Sequence, residues 1–473
     1  MFFNNHNHTP YSSALCGFKD AISTIESLID RAVELNMKGL SITEHEGVSS
    51  HLNAINYVEK GKKDGSIPED FTLGLGNEIY LVSRNIVEEA RENNGRIKFY
   101  HLILTAKDKI GHQAIRELSS MAWENSFNYR GILRRPTYKD DFVNCILKYQ
   151  GHLICSTACL GSEYSELVLK YCEEETPQNK QAIVDYLNFM YRLFRDDFYI
   201  EIQPALNDEQ EMYNKKAIQI AKACNIKVII TTDTHFTLAE DRLAHSIFLN
   251  SGDGDRETDL FYKYCYLQNI DEIYENLHYL PKEQINEFLN NTLELANKIE
   301  SYTLAGTPFV PDAHIPEYTP LNHFKDWYDK CPYIYKFASS THDIDRYFLY
   351  LIEKGFIEKN RTFTEDYMAR IEVELEQVWE ISEYLQTRLS NYYCLVLEII
   401  EEAWKTSLVG VGRGSSGCYE ILFLADLTTI SGYDYGLDWW RHICKERASS
   451  GLPKIKVSIL GSINLVNCAN RCA

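Results

Sequence analysis

A chain of 473 residues, 45% hydrophobic and 25% charged, has the balance of a soluble globular protein with room for two or three domains. Its formal net charge of −20 excludes a broad basic surface that grips nucleic acid, but not a local basic groove, since salt confines surface fields to about 8 Å. No apolar run approaches the roughly 18 residues of a membrane span, and "MFFNNHNHTPYSS" lacks the basic-then-apolar order of a signal peptide, so a cytoplasmic location is expected. In chain order, "DAISTIESLIDRAVEL" sets Ile22, Ile25, Ile29 and Val33 at helical spacing and predicts one buried stripe. The strand "MKGLSITEH" follows, and further strands are expected at "FTLGLGNEIYLV", "IKFYHLILTA", "GHLICSTACL", "DFYIEIQPA" and "IKVIITTDTHF". Helical patterns such as "QEMYNKKAIQIAKAC" lie between several of them.

Repeated strand–helix units predict a mainly parallel α/β domain, as a barrel or a large open sheet. After about residue 240 the pattern turns helix-rich, with "KEQINEFLNNTLELANKIE" the clearest case. The proline cluster in "YTLAGTPFVPDAHIPEYTP" marks a connector. A second region carries long helices around "FTEDYMARIEVELEQVWEISEYL" and "SNYYCLVLEIIEEAWKTS", then the turn "VGVGRGSSG". The thirteen cysteines follow no framework spacing and are expected mostly as buried thiols. Cys468 and Cys472 form a lone CxxxC, a weak metal signal.

Histidines and acids gather at the strands. "HNH" puts His6 and His8 on one face of the first strand, and "TDTH" does the same for Asp233 and His235 on the last. His45 closes the second strand, and Glu78, His101 and Cys159 lie in or near the next three. An α/β barrel gathers its reactive groups at such strand ends. Mixed imidazole and carboxylate donors suit Zn²⁺, Mn²⁺ or Fe²⁺, with Mg²⁺ also open, and they exceed what one ion can use. Two or three ions are therefore expected, a grouping suited to phosphate ester hydrolysis.

"HNHTPYS", "LSITEHEG", "GNEIYLV", "YHLILTAKD", "STACLGSE" and "TTDTHF", in this order, resemble the polymerase-and-histidinol-phosphatase (PHP) domain that begins the bacterial and phage replicative DNA polymerase III alpha subunit. The resemblance implies a distorted (β/α) barrel whose metal ligands are His6, His8, Asp20, His45, Glu78, His101, Cys159, Asp233 and His235. Asp20 falls in register by counting back from the following helix, with the loop "SALCGFKD" slightly enlarged, and Glu44 stands where the family usually has aspartate. It implies 3′→5′ removal of nucleotides from DNA, with a metal-filled but structural domain as the alternative.

"GRGSSG" matches GxGxxG but follows a long helix deep in the chain, which excludes a Rossmann reading, and no GK[ST] follows for a Walker A loop. "LVGVGRGSSGCYEILFLADLTTI" resembles the palm segment of the same family that holds the incoming triphosphate, which implies phosphate binding at Arg413, Gly414 and Ser415. The likeness runs through "DWWRHICKERASSGLP" and stops near Pro453. There the family has alternating aspartates that hold catalytic Mg²⁺, whereas this sequence has Lys454, Lys456 and Ser458. Ammonium groups at those positions oppose cation binding, so polymerisation by this chain alone is not expected.

The expected organisation is a PHP phosphoesterase domain with a helical extension over 1–300, an α+β, helix-rich partial palm over 301–453, and a divergent tail over 454–473. An interrupted or split polymerase gene and a short form acting through its hydrolase site both remain open. DNA is the expected partner, with other replication proteins or a missing polymerase fragment. The alternatives are a histidinol-phosphate-type phosphatase and a structural fragment of a split polymerase.

Overall fold

The computed structural model describes residues 1–16, 19–93, 95–251, 258, 260–306, 310–412, 414–445 and 459–460. The chain divides into two compact units, residues 1–306 and 307–473. Strands of the first unit are β1 (Phe3–Asn4), β2 (Gly39–His45), β3 (Thr72–Val82), β4 (Tyr100–Ala106), β5 (Phe127–Tyr129), β6 (Ile132–Arg134), β7 (Thr137–Tyr138), β8 (Leu153–Ser156), β9 (Phe198–Ile202) and β10 (Lys227–Ile230). The main sheet runs β1-β2-β3-β4-β8-β9-β10, with β7 beside β3. Only β4 is antiparallel to its neighbours in that sheet.

The sheet curls until its two edges meet. Asn7 bridges Thr234, where the His8 N–H donates to the Thr234 carbonyl at 2.8 Å and the Thr234 N–H to the His6 carbonyl at 3.1 Å. This nearly closed barrel matches the expected α/β class. Alternation along the strands sorts the two faces. Leu40, Ile42, Leu102, Leu104, Ile200, Ile202, Val228 and Ile230 share one apolar core with the helices. Ser41 and Thr105 turn the other way, and both hydroxyls donate to Asn5 Oδ1, at 2.7 and 2.9 Å. At the starting ends of the strands the interior is instead apolar. There Phe3, Ile154, Tyr199 and Ile229 pack against Leu295 and Ala296 of the helix Lys282–Ala296. That plug leaves the opposite end for polar groups.

A short helix, Pro10–Cys16, follows β1, and the helix before β2 spans Ile25–Glu34, begun by Thr24, whose hydroxyl accepts from the Ser27 N–H at 3.1 Å. Its buried stripe is Ile25, Leu28, Ile29 and Ala32, so Ile22 falls before the helix and Val33 on its margin. Strands β1 and β10 are shorter than expected. His6, His8, Asp233 and His235 lie just beyond them, in segments joined by the single Asn7–Thr234 bridge.

In the second unit the helices Pro332–Ala338, Asp343–Glu358, Glu365–Leu385, Leu389–Trp404 and Glu420–Leu424 enclose their own core. Two carboxylates inside it are held by hydrogen bonds. Glu374 accepts from the Ile421 N–H at 2.9 Å and pairs with Arg370. Glu420 accepts from the Ser431 hydroxyl at 2.7 Å and the Tyr433 N–H at 3.0 Å. Residues 310–322 of the expected connector form no regular element, and 307–309 lie outside the described residues.

Two tests follow from this packing. A methyl at Gly355 would overlap the backbone carbonyl of Leu424, so Gly355→Ala is expected to cost the second unit about 1–3 kcal/mol in urea unfolding. In the first unit, His51 Nε2–H donates to the Gly76 carbonyl at 3.0 Å, and His112 Nε2–H donates to His51 Nδ1 at 2.9 Å. Burial pushes His51 down to about 3 and His112 down to about 4. Both are thus neutral in the fold and protonate more readily when unfolded. Their contribution is complete above the unfolded value near 6.5 and falls below it by about 1.4 kcal/mol per pH unit for each group. Tm measured from pH 7 to pH 5 should drop less steeply in His112→Gln than in the wild type.

Candidate metal centre

Nine side chains converge at the open end of the barrel. His45 ends β2, Glu78 lies within β3, and His101 enters from antiparallel β4 at the same end. Cys159 follows β8, His6 and His8 follow β1, Asp20 precedes the helix Ile25–Glu34, and Asp233 and His235 follow β10. Asp233 and Ala158, the residue before Cys159, have positive φ of 44° and 57°. Such strain at non-glycine residues is sustained only where surrounding contacts fix it.

Three imidazoles are turned the same way. His6 Nδ1–H donates to Glu201 Oε1 at 2.6 Å. Ser12 donates its own hydroxyl proton to Glu44 at 2.5 Å, so its oxygen accepts from His8 Nδ1–H at 3.1 Å. His235 Nδ1–H donates to the Asp233 carbonyl at 2.7 Å. Each proton is committed outward, and each Nε2 lone pair faces the centre.

What those Nε2 atoms meet is one another and buried carboxylate oxygens. His6 Nε2 lies 3.0 Å from His8 Nε2, 2.7 Å from Glu78 Oε2 and 3.1 Å from Asp233 Oδ1. His235 Nε2 lies 3.2 Å from Asp20 Oδ2, which also meets His45 Nε2 at 2.7 Å. Glu78 Oε1 lies 2.5 Å from His101 Nδ1, and Asp233 Oδ1 lies 3.1 and 3.3 Å from the Nε2 atoms of His6 and His8, so both buried acceptors face imidazole nitrogens. Without a cation these contacts need protons on the imidazoles, and divalent cations placed among the same atoms would satisfy them equally, so the residues present fit divalent cations.

The electrostatics agree. Burial alone would lower His6, yet Asp233 and Glu201 carry it well above the usual histidine range. Burial likewise opposes the charge on His235, but Asp20 and Asp233 raise it to about 9. For Asp20, burial is outweighed by His235 and His45, which hold its carboxyl well below the usual range. Burial, with Asp233 and Glu78 nearby, pushes the Cys159 thiol far up, so Cys159 needs a cation to serve as a thiolate.

The donors fall into overlapping sets. His6, His8, Glu78 and Asp233 offer atoms all within 4.8 Å of one another, as do His8, His45 and His235, and Asp233, His235 and Cys265. Sharing of His8, Asp233 and His235 suits more than one ion. His101 joins through Glu78 Oε1 at 2.5 Å, and Cys159 Sγ lies 3.4 Å from His101 Nδ1.

Several neighbours were absent from the sequence reading. Glu201 is fully buried and is further held by the Thr231 hydroxyl at 2.5 Å and the Ser156 hydroxyl at 2.7 Å. The Tyr80 hydroxyl lies 2.8 Å from His45 Nδ1. Both had a signal in strand alternation, since Tyr80 shares the face of Glu78, and Glu201 interrupts the apolar pattern in "FYIEI". Cys265, in "YKYCYL", had none.

In the second unit, Gly414–Cys418 form a short 3₁₀ turn, with Ser415 Oγ 3.3 Å from His442 Nδ1. Arg413, Lys454, Lys456, Ser458, Cys468 and Cys472 lie outside the described residues. Among the described residues, no helix is long and apolar enough to cross a membrane.

Residues 4–205, which supply all of the gathered side chains except Asp233, His235 and Cys265, match the PHP domain. The barrel and its cluster are thus those of a PHP-domain protein. Residues 346–459 match the bacterial DNA polymerase III alpha NTPase domain, and the chain belongs to the DNA polymerase III alpha family. It is 43% identical to the "Probable DNA polymerase YorL" of Bacillus subtilis and, equally, to the "DNA-directed DNA polymerase" of Bacillus phage SPbeta, over 97% of this chain and 36% of each relative. A DNA polymerase III subunit alpha of Campylobacter jejuni is 27% identical over 97% of this chain and 36% of its own length. The chain thus spans about a third of the length of these relatives.

Because Glu201 fixes the His6 tautomer, Glu201→Gln is expected to weaken Mn²⁺ or Zn²⁺ binding about 10–100-fold. Competition with a chromogenic chelator reads this directly. Unchanged affinity in a folded variant would remove Glu201 from the support of the centre.

Proposed function

We propose that the barrel is a metal-dependent phosphoesterase that removes nucleotides from DNA in the 3′→5′ direction. The observation that carries the reading is the shared orientation of His6, His8 and His235, whose protons are all donated outward while their Nε2 lone pairs converge with three buried carboxylates. A barrel needing only core polar contacts gains nothing from that arrangement. His6, His8, Glu78 and Asp233 would hold one ion and Asp20, His45 and His235 a second, with His101 and Cys159 completing a third position beside Glu78. Bound divalent ions of the Zn²⁺, Mn²⁺, Fe²⁺ or Mg²⁺ type supply Lewis acidity, which makes water a stronger acid and neutralises phosphate charge.

The protein's own part is orientation and exclusion of water. Glu201, the Glu44–Ser12 pair and the Asp233 carbonyl hold the three imidazole protons, and Tyr80 steadies His45. His101, with 28% of its side chain exposed, reaches the opening where a substrate enters. This chain by itself carries out no nucleotidyl transfer in this reading, because Lys454, Lys456 and Ser458 stand where the resemblance puts carboxylates. A phosphate-binding role for Arg413, Gly414 and Ser415 is proposed on the same resemblance. DNA is the proposed partner, with other replication proteins or a complementing polymerase fragment beside it.

Release of nucleotides from a 3′-mismatched primer, with Mn²⁺, Zn²⁺ and Mg²⁺ supplied in turn, tests the reading. His8→Ala should reduce release at least 100-fold, roughly 2.7 kcal/mol of transition-state stabilisation. Release that survives in His8→Ala would belong to a contaminating nuclease. Preference for sugar or amino-alcohol phosphates over DNA would make the barrel a small-molecule phosphatase.

A further inference from the structure

The mouth of the metal centre differs in charge from the chain around it. Between Glu124 and Asp140, residues 125–139, "NSFNYRGILRRPTYK", carry Arg130, Arg134, Arg135 and Lys139 and no acid, in a chain of net charge −20. Lys139 pairs with Glu163, Arg135 is buried, and Arg134 is the one that lines the cavity there. The stretch forms the β5–β6 hairpin, whose turn residues Arg130 and Gly131 both have positive φ, 51° and 81°. A two-residue turn of that kind matches the twist of paired strands and fixes their register.

The register decides what the hairpin presents. Phe127 pairs with Arg134 and Tyr129 with Ile132, and directly opposed residues share a face, as do alternate residues along a strand. That face rests on Phe99, whose ring centroid lies 6.4 Å from that of Phe127 and 6.2 Å from that of Tyr129. The Arg134 guanidinium sits 5.3 Å from the centre of the Phe99 ring. Lys98, Phe99, Ile132 and Arg134 line one cavity of about 400 Å³ together with Asp20, His45, Glu78 and His101. Phe261 and Tyr262 line it too, with Tyr262 edge-on to His235 at 5.4 Å.

Cations and π-faces side by side are what single-stranded nucleic acid requires. The backbone needs positive charge, and an aromatic face stacks on any base without reading sequence. The buried acids of the centre make the positive wall more necessary, because they repel a phosphate arriving from solvent. Lys98 is paired with Glu166, but both groups are largely exposed, 55% and 41%, and an exposed pair of this kind exchanges partners at little cost. A nucleotide fits a cavity of this size, whereas a base pair with both strands attached does not.

We propose that the β5–β6 hairpin and Phe99 form a grip for a frayed, single-stranded DNA end. Arg134 and Lys98 take backbone phosphate, Phe99 and Tyr262 take a base, and Arg130 at the exposed tip meets the strand farther out. The grip rests on the phosphoesterase reading for its purpose and defines the substrate as an unpaired end.

Binding of a fluorescent phosphorothioate-linked oligothymidylate, followed by anisotropy between 50 and 200 mM salt, tests the grip apart from hydrolysis. Arg134→Gln should weaken binding at least fivefold and reduce the slope of log K against log salt by about 0.7. Arg130→Gln, at a solvent-exposed turn where folding is not at stake, should lower the slope in the same sense. Phe99→Leu should weaken binding at least fivefold with the slope unchanged, and Arg134→Lys should keep the slope. Binding within twofold of wild type in all of these variants overturns the proposal, as does equal affinity for blunt duplex. Oligonucleotide binding with these dependences, but no nucleotide release by the wild type with any metal, retains the grip and removes the hydrolase. Nucleotide release with unaltered binding in every variant does the reverse.

Discussion

The barrel depends on where three imidazole protons are kept. A neutral histidine has one donor and one acceptor nitrogen, so whatever accepts its proton decides which way its lone pair faces. Glu201 does this for His6, the Ser12 hydroxyl for His8 and a backbone carbonyl for His235. Glu201 is held in turn by the hydroxyls of Thr231, just after β10, and Ser156, at the end of β8, which donate to it. One buried carboxylate thereby ties three neighbouring parts of the sheet to one ring orientation. The interior at this end has to be polar for the same reason, and the apolar plug at the opposite end restores the core that a polar interior gives up.

Much of this was legible in the sequence, and the failures have physical causes. The two-residue spacing in "HNH" and "TDTH" did pick out side chains that lie together, although neither pair lies within a strand. A segment held by one bridge, as at Asn7 and Thr234, keeps the alternation of a strand without its ladder, and periodicity alone does not separate the two. Asp233 departs further, since its positive φ turns the chain within the motif. Asp20 was found by counting along a resemblance rather than by any local pattern. It stands where His45 and His235 both reach it. Glu201 was overlooked because a lone acid in an apolar strand resembles an edge position, and only the folded sheet reveals that both faces of β9 are covered.

The second unit tells the same story with helices. Spacing located Glu365–Leu385 and Leu389–Trp404 closely, because amphipathic periodicity survives over many turns. It did not separate Glu374, wholly buried, from the half-buried Glu372, Glu376 and Glu380 beside it. Burial pushes Glu374 up to about 7 even with Arg370 beside it. A carboxylate is kept there because the Ile421 N–H, at the start of a five-residue helix, needs an acceptor that the short helix does not supply. Such an acid looks like any other in sequence. Its role is set by a residue forty-seven positions away.

Net charge was the least informative property of all, and the reason is range. A formal charge of −20 spread over the whole chain says little about a point where Arg134 and Lys98 line a cavity, because fields from exposed charges decay over about 8 Å in physiological salt. Within that range the relevant sum at the mouth includes Arg134 and Lys98, while the acids deeper in are those already turned toward cations. The chain therefore separates its charges by depth, with carboxylates at the floor of the cavity and guanidinium at its wall. That order of charge from wall to floor is one that neither composition nor motif spacing encodes.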